Sequence, residues 1–190
     1  MNPVDIFNEW YVEQLTLSKA SVPSAVCLST IGLDGFPNAR FVALKSIVGG
    51  AFAITGPVQS LKGLEINKTN KVALTFWWTE TDRQVRVQGI ASPLPGALAD
   101  LYFSQREREA QLVSVISRQG KRLGDTGALK QKLSEARAQL AEHEVKRPDG
   151  WSGFLVEPIR IEFMAFKPSR LHERTLFERK NGSWERSLLQ

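Results

Sequence analysis

The chain has 190 residues, of which 42% are apolar and 24% charged, and its formal net charge at pH 7 is +5. This length allows one domain with a sizeable core, and the composition is that of a globular protein, which excludes a disordered or fibrous chain. A single cysteine excludes an internal disulfide, and no run of about 18 apolar residues predicts a membrane helix. The acidic N-terminal segment lacks the features of a signal peptide, so we expect a cytoplasmic protein.

The first half of the chain predicts one helix followed by several strands. Asn2 can cap a helix that begins at Pro3, and apolar residues follow at helical spacing up to a break at 18–20. A helical turn or two is predicted at 61–67, and strands are predicted over 25–31, 39–47, 51–55, 71–78 and 84–91. Five strands with few crossover helices are typical of an antiparallel barrel or a strongly curled sheet.

The second half adds helices and then returns to strands. Helical segments are predicted over 97–108, 113–118 and 126–144, and strands resume at 151–166 and in a C-terminal hairpin around Asn181-Gly182. The last helix has a narrow apolar stripe, which lies against the barrel or, less commonly, faces a partner subunit. The order strands, helices, strands predicts one α+β domain over residues 1–190.

The segment 169–174, with the sequence SRLHER, holds a dense group of cationic and titratable side chains. If the segment is extended, Arg170, His172 and Arg174 point to one face, because side chains in a strand alternate with a period of two. Guanidinium groups bind phosphate or carboxylate, and an imidazole between them can give or take a proton near neutral pH. The segment is therefore a candidate half of an anion-binding site, or else a solvated edge strand whose charges discourage pairing.

Other basic and amide side chains stand near the ends of the predicted elements. Tyr102 and Arg106 are four residues apart, so on a helix they would share one face and could grip one phosphate. Arg40 and Lys45 bound the segment RFVALK, and a regular strand would place them on opposite faces. The sequence has no metal-ligand spacing and no Gly-rich nucleotide loop, and its interleaved charges favour a small phosphorylated ligand over nucleic acid.

Taken together, these motifs resemble the pyridoxamine 5′-phosphate oxidase family, whose members are FMN-binding split β-barrels that work as homodimers. The motifs are RFVALK, SLK, RQVRV, YFSQRER, SRQG, WSGF with IEF, and RLHER, and the resemblance covers nearly the whole chain. It implies an α+β fold, an antiparallel split β-barrel with flanking helices, and FMN as the cofactor. It also implies oxidation of pyridoxamine or pyridoxine 5′-phosphate to pyridoxal 5′-phosphate with oxygen as acceptor, at flavin sites that lie between two subunits.

The same resemblance implies roles for individual residues. The implied FMN-binding residues are Arg40, Lys45, Thr55, Ser60, Lys62, Gln84, Gln119, Met164 and Arg174. The implied substrate-binding residues are Lys45, Tyr102, Arg106, Arg170 and His172. Of these, Arg170 and His172 are the implied catalytic residues, which hold and polarise the substrate over the flavin ring. Neither a metal nor a nucleic acid is implied.

Four positions depart from the family pattern. Leu61 stands where an arginine would grip the flavin phosphate, Ala110 and Gly120 replace two serines, and Met164 replaces a tryptophan. The chain also starts at the first helix, so we expect a divergent member without the N-terminal segment that folds over the substrate. Two alternatives stay open: an oxidase of the same fold acting on another substrate, as in the phenazine-biosynthesis branch, and a non-catalytic flavin-binding protein. The retained tyrosine and arginine of the phosphate clamp favour a phosphorylated pyridine substrate.

Overall fold

Six strands of the described chain close into an antiparallel barrel. The computed structural model describes residues 2–141 and 143–190. The barrel strands are β1 (Ala25–Ile31), β2 (Pro37–Val48), β3 (Ala51–Pro57), β4 (Lys71–Trp78), β5 (Arg83–Pro93) and β6 (Trp151–Ala165). They are hydrogen-bonded in the order β3-β2-β1-β4-β5-β6, and β3 also pairs with β6. A hairpin of β7 (Glu173–Lys180) and β8 (Ser183–Leu189) continues the sheet beyond β6, so the predicted split barrel is confirmed.

Closure of the barrel brings β3 and β6 unusually close at Gly153. Gly153 lies opposite Thr55, and a Cβ atom at position 153 would be 2.1 Å from the carbonyl oxygen of Ile54. Real Cβ atoms do not approach an oxygen so closely, so only glycine fits here. The glycine of the WSGF motif therefore allows the strand pairing that closes the ring.

The first helix, α1 (Pro3–Leu17), packs against the apolar interior of the barrel. The side chain of Asn2 accepts a hydrogen bond from the backbone amide of Val4 at 3.1 Å, which confirms the predicted N-cap. Phe7 is fully buried, and the centre of its ring lies 4.8 Å from that of Phe52 and 4.9 Å from that of Phe76, both edge-on. Because this geometry suits the charge distribution of aromatic rings, α1 is an integral part of the core.

The other helices are α2 (Leu61–Lys68), which follows β3, and α3 (Gly96–Ser104), α4 (Arg108–Ile116) and α5 (Thr126–Gln139), which connect β5 to β6. Helices α3 to α5 bury a second apolar cluster with the start of β6. The predicted apolar stripe of α5 faces inward: Ala136 is buried, and Leu133 and the C-cap residue Leu140 are packed against the same cluster. Within the described residues, no helix is long and apolar enough to cross a membrane.

The predicted boundaries of three helical segments were wrong. The second segment was predicted over 113–118, but α4 spans Arg108–Ile116. The prediction carried one helix over 97–108, but α3 ends at Ser104 and α4 begins at Arg108. Residues 104–108 contain no apolar side chain, so no burial stabilises a helix across them. The last helix was predicted to reach 144, but α5 ends at Gln139, and residue 142 lies outside the described residues.

The segment 169–174 is not extended as predicted. Arg170 has a φ of 64°, in the left-handed region, and β7 begins only at Glu173. The amide of Arg170 donates to the carbonyl oxygen of Lys167 at 3.0 Å, which closes a turn over Pro168. Arg170 and His172 therefore lie in a turn, Arg174 lies on a strand, and the predicted common face does not exist.

We expect Phe7→Ala to lower the free energy of unfolding by about 3–5 kcal/mol, because it removes a buried ring from the centre of the core. The measurement is equilibrium denaturation. Val12→Ala is the matched control on the same helix, since Val12 is 63% exposed, and we expect it to change stability by no more than about 0.5 kcal/mol. Equal effects of the two substitutions would contradict the role of α1 in the core.

Candidate functional site

A cavity of about 330 Å³ brings together residues that are far apart in the sequence. Its lining includes the following predicted site residues: Arg40, Lys45, Thr55, Lys62, Arg106 and Gln119. They come from β2, β3, α2, the turn between α3 and α4, and the loop after α4. In the part of the chain that the structure describes, no aspartate or glutamate lines this cavity. The cavity is therefore cationic, and we name it the anion cavity.

Arg40 and Lys45 line the same cavity, and a β-bulge interrupts the pairing of β2 at Lys45. The pairing of β2 with β3 slips by one residue between Leu44 and Ser46. A bulge of this kind inserts an extra residue and re-aims the side chains that follow it. Both cations line the anion cavity, and so do Phe41, Val42 and Ala43 between them, so the cavity takes residues from both faces of β2. The placement of Arg40 and Lys45 on opposite faces of the strand stays a prediction.

Arg106 has an unsatisfied hydrogen-bond donor. Its Nη2 donates to the carbonyl oxygen of Ala110 at 3.2 Å, and its guanidinium carbon lies 5.1 Å from the centre of the Trp151 ring. Its Nε is buried and has no partner among the described residues. Burial lowers the pKa of Arg106. A buried, unpaired donor on a cationic group is a suitable partner for an anionic oxygen of a ligand.

The two lysines of the anion cavity are also held in an unfavourable electrostatic environment. Burial, and then the charge of Arg106, lower the pKa of Lys45, while burial and the charge of Arg40 lower the pKa of Lys62. The Nζ of Lys62 donates to Gln119 Oε1 at 2.8 Å and to a neighbouring hydroxyl, Ser60 Oγ, at 3.1 Å. A bound dianion such as phosphate would relieve the repulsion among these cations.

Arg40 differs from the other cations because it is paired with a buried acid. Its Nη2 lies 2.8 Å from Oε2 of Glu65, whose side chain is fully buried in α2. Sequence reasoning missed Glu65, because one acidic residue on a short helix is ordinarily solvated and nothing in the local pattern marks it. The partner is 25 residues away in the sequence, so only the fold brings the pair together.

Tyr102 and Ser60 lie beside the anion cavity and do not line it. Tyr102 is 8% exposed, and its hydroxyl shares a short hydrogen bond with the hydroxyl of Ser46. The predicted common helix face of Tyr102 and Arg106 was wrong, because α3 ends before Arg106. Ser60 is buried, donates to the carbonyl oxygen of Pro57 at 2.6 Å, and borders a neighbouring cavity of about 270 Å³.

A second group of predicted residues forms a row across four strands. Trp77 lies opposite Gln84, Gln84 opposite Met164, and Met164 opposite Arg174, on β4 to β7 in that order. Directly opposite residues share one face of a sheet, and Trp77 is 61% exposed, so this is the outer face. Arg174 donates from Nε and Nη2 to Glu162 Oε1 at 3.0 and 2.7 Å.

Arg170 and His172 lie beside this outer row. Both line a hollow of about 430 Å³ that is also lined by Trp77 and Phe166. The Nδ1 atom of His172 accepts a hydrogen bond from the backbone amide of Lys167 at 3.1 Å. Because Nδ1 accepts this bond it carries no proton, and the ring's N–H donor is Nε2.

The predicted site residues thus divide between two surfaces. One group lines the anion cavity, and the other is the outer row with the turn that carries Arg170 and His172. The two groups line different cavities of the chain. Across residues 2–141 and 143–190, no group of three or more His, Cys, Asp or Glu side chains is arranged to hold a metal ion. The fold and the cavity define a split-barrel protein with a cationic cavity.

Comparisons with known proteins agree with this description. Residues 19–140 match the family described as pyridoxamine 5′-phosphate oxidase, and residues 151–190 match the pyridoxine 5′-phosphate oxidase C-terminal dimerisation region. A pyridoxine/pyridoxamine 5′-phosphate oxidase of Caulobacter vibrioides (strain NA1000 / CB15N) is 38% identical over 183 residues, which are 96% of this chain and 82% of that protein. One of Leptospira biflexa serovar Patoc is 35% identical over 188 residues, covering 99% of this chain and 88% of that one.

A solved structure is similar over the whole chain. It is PhzG from Burkholderia lata 383 in complex with tetrahydrophenazine-1-carboxylic acid, with a TM-score of 0.92 and 28% identity, and it covers 100% of this chain and 92% of that one. The chain therefore belongs to the pyridoxamine 5′-phosphate oxidase family. It is an FMN-dependent oxidoreductase, as the resemblance of its motifs implied.

We expect the affinity for FMN to fall as the pH rises from neutral towards about pH 10. The pKa values of Lys45 and Lys62 lie below the usual 10.5, so these side chains lose their protons earlier than ordinary lysines. Bound phosphate favours their charged forms and raises both pKa values, so binding takes up protons in this range and weakens with increasing pH. The measurement is titration by flavin fluorescence. Riboflavin, which has no phosphate, is the control; an equal pH dependence for both flavins would contradict the prediction.

Proposed function

We propose that this chain oxidises pyridoxamine 5′-phosphate or pyridoxine 5′-phosphate to pyridoxal 5′-phosphate, with oxygen as the electron acceptor, as a single FMN-binding domain in the cytoplasm. The observation that carries the proposal is the excess of positive charge in the anion cavity. Its cations are Arg40, Lys45, Lys62 and Arg106. Two phosphates, one on FMN and one on the substrate, account for this charge better than one phosphate does. The names of the relatives in Caulobacter and Leptospira support the same reaction.

The residues of this chain fit FMN in two ways. Arg40, Lys45, Lys62, Thr55 and Gln119 supply cations and polar groups for a phosphate and its ribityl chain. The outer row supplies the amide of Gln84, the guanidinium of Arg174 and the thioether of Met164 for the edge and face of a flat ring. When bound, FMN would supply the capacity to accept a hydride from the substrate.

The remaining residues orient the substrate. Arg106 has the unsatisfied donor, and together with Lys45 it would bind the substrate phosphate. Tyr102 would join them after its hydroxyl leaves Ser46. Arg170 and His172 would hold the pyridine ring, and His172 would donate a hydrogen bond from Nε2 to an oxygen of that ring.

We further propose a homodimer in which the outer row of one copy completes the anion cavity of the other. The division of the site between two surfaces supports it, and so does the match of residues 151–190 to a dimerisation region. Large apolar side chains are also exposed on the outer face of the barrel: Phe41 is 76% exposed and Trp77 61%. Cys27 lies opposite both Phe41 and Thr75, so a patch of small residues joins the two aromatic rings.

A second candidate is an FMN-dependent oxidase that acts on another aromatic compound. The solved structure of PhzG with tetrahydrophenazine-1-carboxylic acid supports it. The position of Tyr102 supports it as well, because its hydroxyl is bound to Ser46 and does not line the anion cavity. Ala110 stands where the family resemblance implies a serine, and its side chain has no hydroxyl to donate a hydrogen bond to a phosphate.

The proposed function is tested by the visible spectrum of the purified protein with FMN and by an assay for pyridoxal 5′-phosphate. We expect flavin absorption that stays with the protein, and oxygen-dependent product formation from pyridoxamine 5′-phosphate. Flavin binding without this product would exclude the proposed substrate and favour the second candidate. A non-catalytic flavin-binding protein would give flavin absorption and no reduction of the flavin by either class of substrate.

Arg106→Ala should lower kcat/KM for pyridoxamine 5′-phosphate by roughly 10- to 150-fold, because it removes a charged hydrogen-bond partner worth about 1.5–3 kcal/mol. We expect the loss mainly as a higher KM, with FMN content unchanged. Arg137→Ala is the control, since Arg137 is paired with Glu109 on the exposed surface of α4 and α5. A loss of FMN from the Arg106 variant would instead assign this side chain to the cofactor.

A further inference from the structure

We infer that Glu65 is a positioning residue that fixes Arg40 in the anion cavity for the phosphate of FMN. This inference rests on the proposed FMN site and adds a residue that does not itself line the cavity. Glu65 lies in α2 with its side chain fully buried. Burying a carboxylate costs free energy unless it is paired and hydrogen-bonded, so the burial of Glu65 indicates a specific role.

The carboxylate of Glu65 is satisfied by side chains from β1 and β2. Its Oε2 accepts hydrogen bonds from Thr30 Oγ1 at 2.6 Å and from Arg40 Nη2 at 2.8 Å, and its Oε1 accepts one from Asn38 Nδ2. Burial alone would raise the pKa of Glu65, but the hydrogen bonds from Thr30 and Asn38 and the charge of Arg40 lower it below its usual value. Glu65 is therefore ionised and acts as the counter-ion of Arg40.

The guanidinium of Arg40 is held from more than one side. Its Nη1 donates to the hydroxyl of Thr30 and to the carbonyl oxygen of Leu28 at 3.4 Å, while its Nη2 is bound to Glu65. The side chain is 24% exposed and lines the anion cavity. Because its rotamer is fixed before a ligand arrives, little conformational entropy is lost on binding.

Glu65 also connects the two elements that carry cations of the cavity. Lys62 is one helical turn before Glu65 on α2 and lines the same cavity as Arg40 of β2. The Arg40–Glu65 ion pair therefore fixes the distance between these cations. The neighbouring Leu61 is 50% exposed and offers no charge, so a phosphate in this cavity depends more strongly on Arg40 and Lys62.

The test is a double-mutant cycle of FMN affinity in the full chain, with the variants Glu65→Gln, Arg40→Ala and the combination. Glutamine keeps the shape of the side chain but replaces one acceptor oxygen by a donor that faces Arg40 or Asn38. We expect Glu65→Gln to weaken FMN binding by about tenfold or more when Arg40 is present, and by less than about twofold when Arg40 is already alanine. Affinity for riboflavin should stay within about twofold in every variant, since the inferred contact is with the phosphate.

A matched control and a second variant keep the test decisive. Glu109→Gln neutralises an exposed carboxylate on α4 and should leave FMN affinity unchanged. If Glu65→Gln does not fold, Thr30→Val replaces it, because this hydroxyl contacts both Glu65 and Arg40, and the same pattern is expected.

Additive effects in the cycle, or equal losses for FMN and riboflavin, would show that Glu65 serves only the fold and would overturn the inference. Binding of FMN by the wild-type chain separates this result from a failure of the proposed function. If the wild-type chain binds no FMN, the proposed function and the inference both fail.

Discussion

The candidate site depends on one electrostatic constraint: several positive charges lie close together in a cavity whose described lining has no acid. The cations are Arg40, Lys45, Lys62 and Arg106. Their proximity and burial lower the pKa of both lysines and, through burial, of Arg106. This arrangement is unfavourable for the chain alone, and its cost is offset when an anion binds. Among these cations Arg40 is anchored by Glu65, which lies behind the cavity wall and not in it.

The barrel and its helices supply the stability that such a site requires. The aromatic core around Phe7 fixes the strands, and β2 supplies both Arg40 and Lys45 to the cavity. Trp151 has two functions, because it is 2% exposed in the second apolar cluster and its ring also contacts the guanidinium of Arg106. The packing of the second cluster and the position of the Arg106 guanidinium therefore both depend on this side chain.

The two surfaces that carry the predicted site residues differ in chemical character. The anion cavity offers cations that suit any phosphorylated ligand, and the outer row offers apolar side chains beside polar groups. In the proposed function, selection between a pyridine phosphate and a larger aromatic acid would depend on how Tyr102, Arg170 and His172 approach the cavity. Of these, Tyr102 is bound to Ser46, and the other two lie in a turn of the outer surface.

The sequence by itself determined most of the elements and the family, because strand alternation, turn signals, the Asn2 cap and the ordered motifs are local features. Only the tertiary structure decided where those side chains point. Arg40 and Lys45 line one cavity because β3, α2 and the segment after α4 come together beside β2, and Arg170 lies outside β7 because a turn forms over Pro168. Glu65 gave no local signal, since its partners are 25 to 35 residues away and strand pairing and helix packing bring them together.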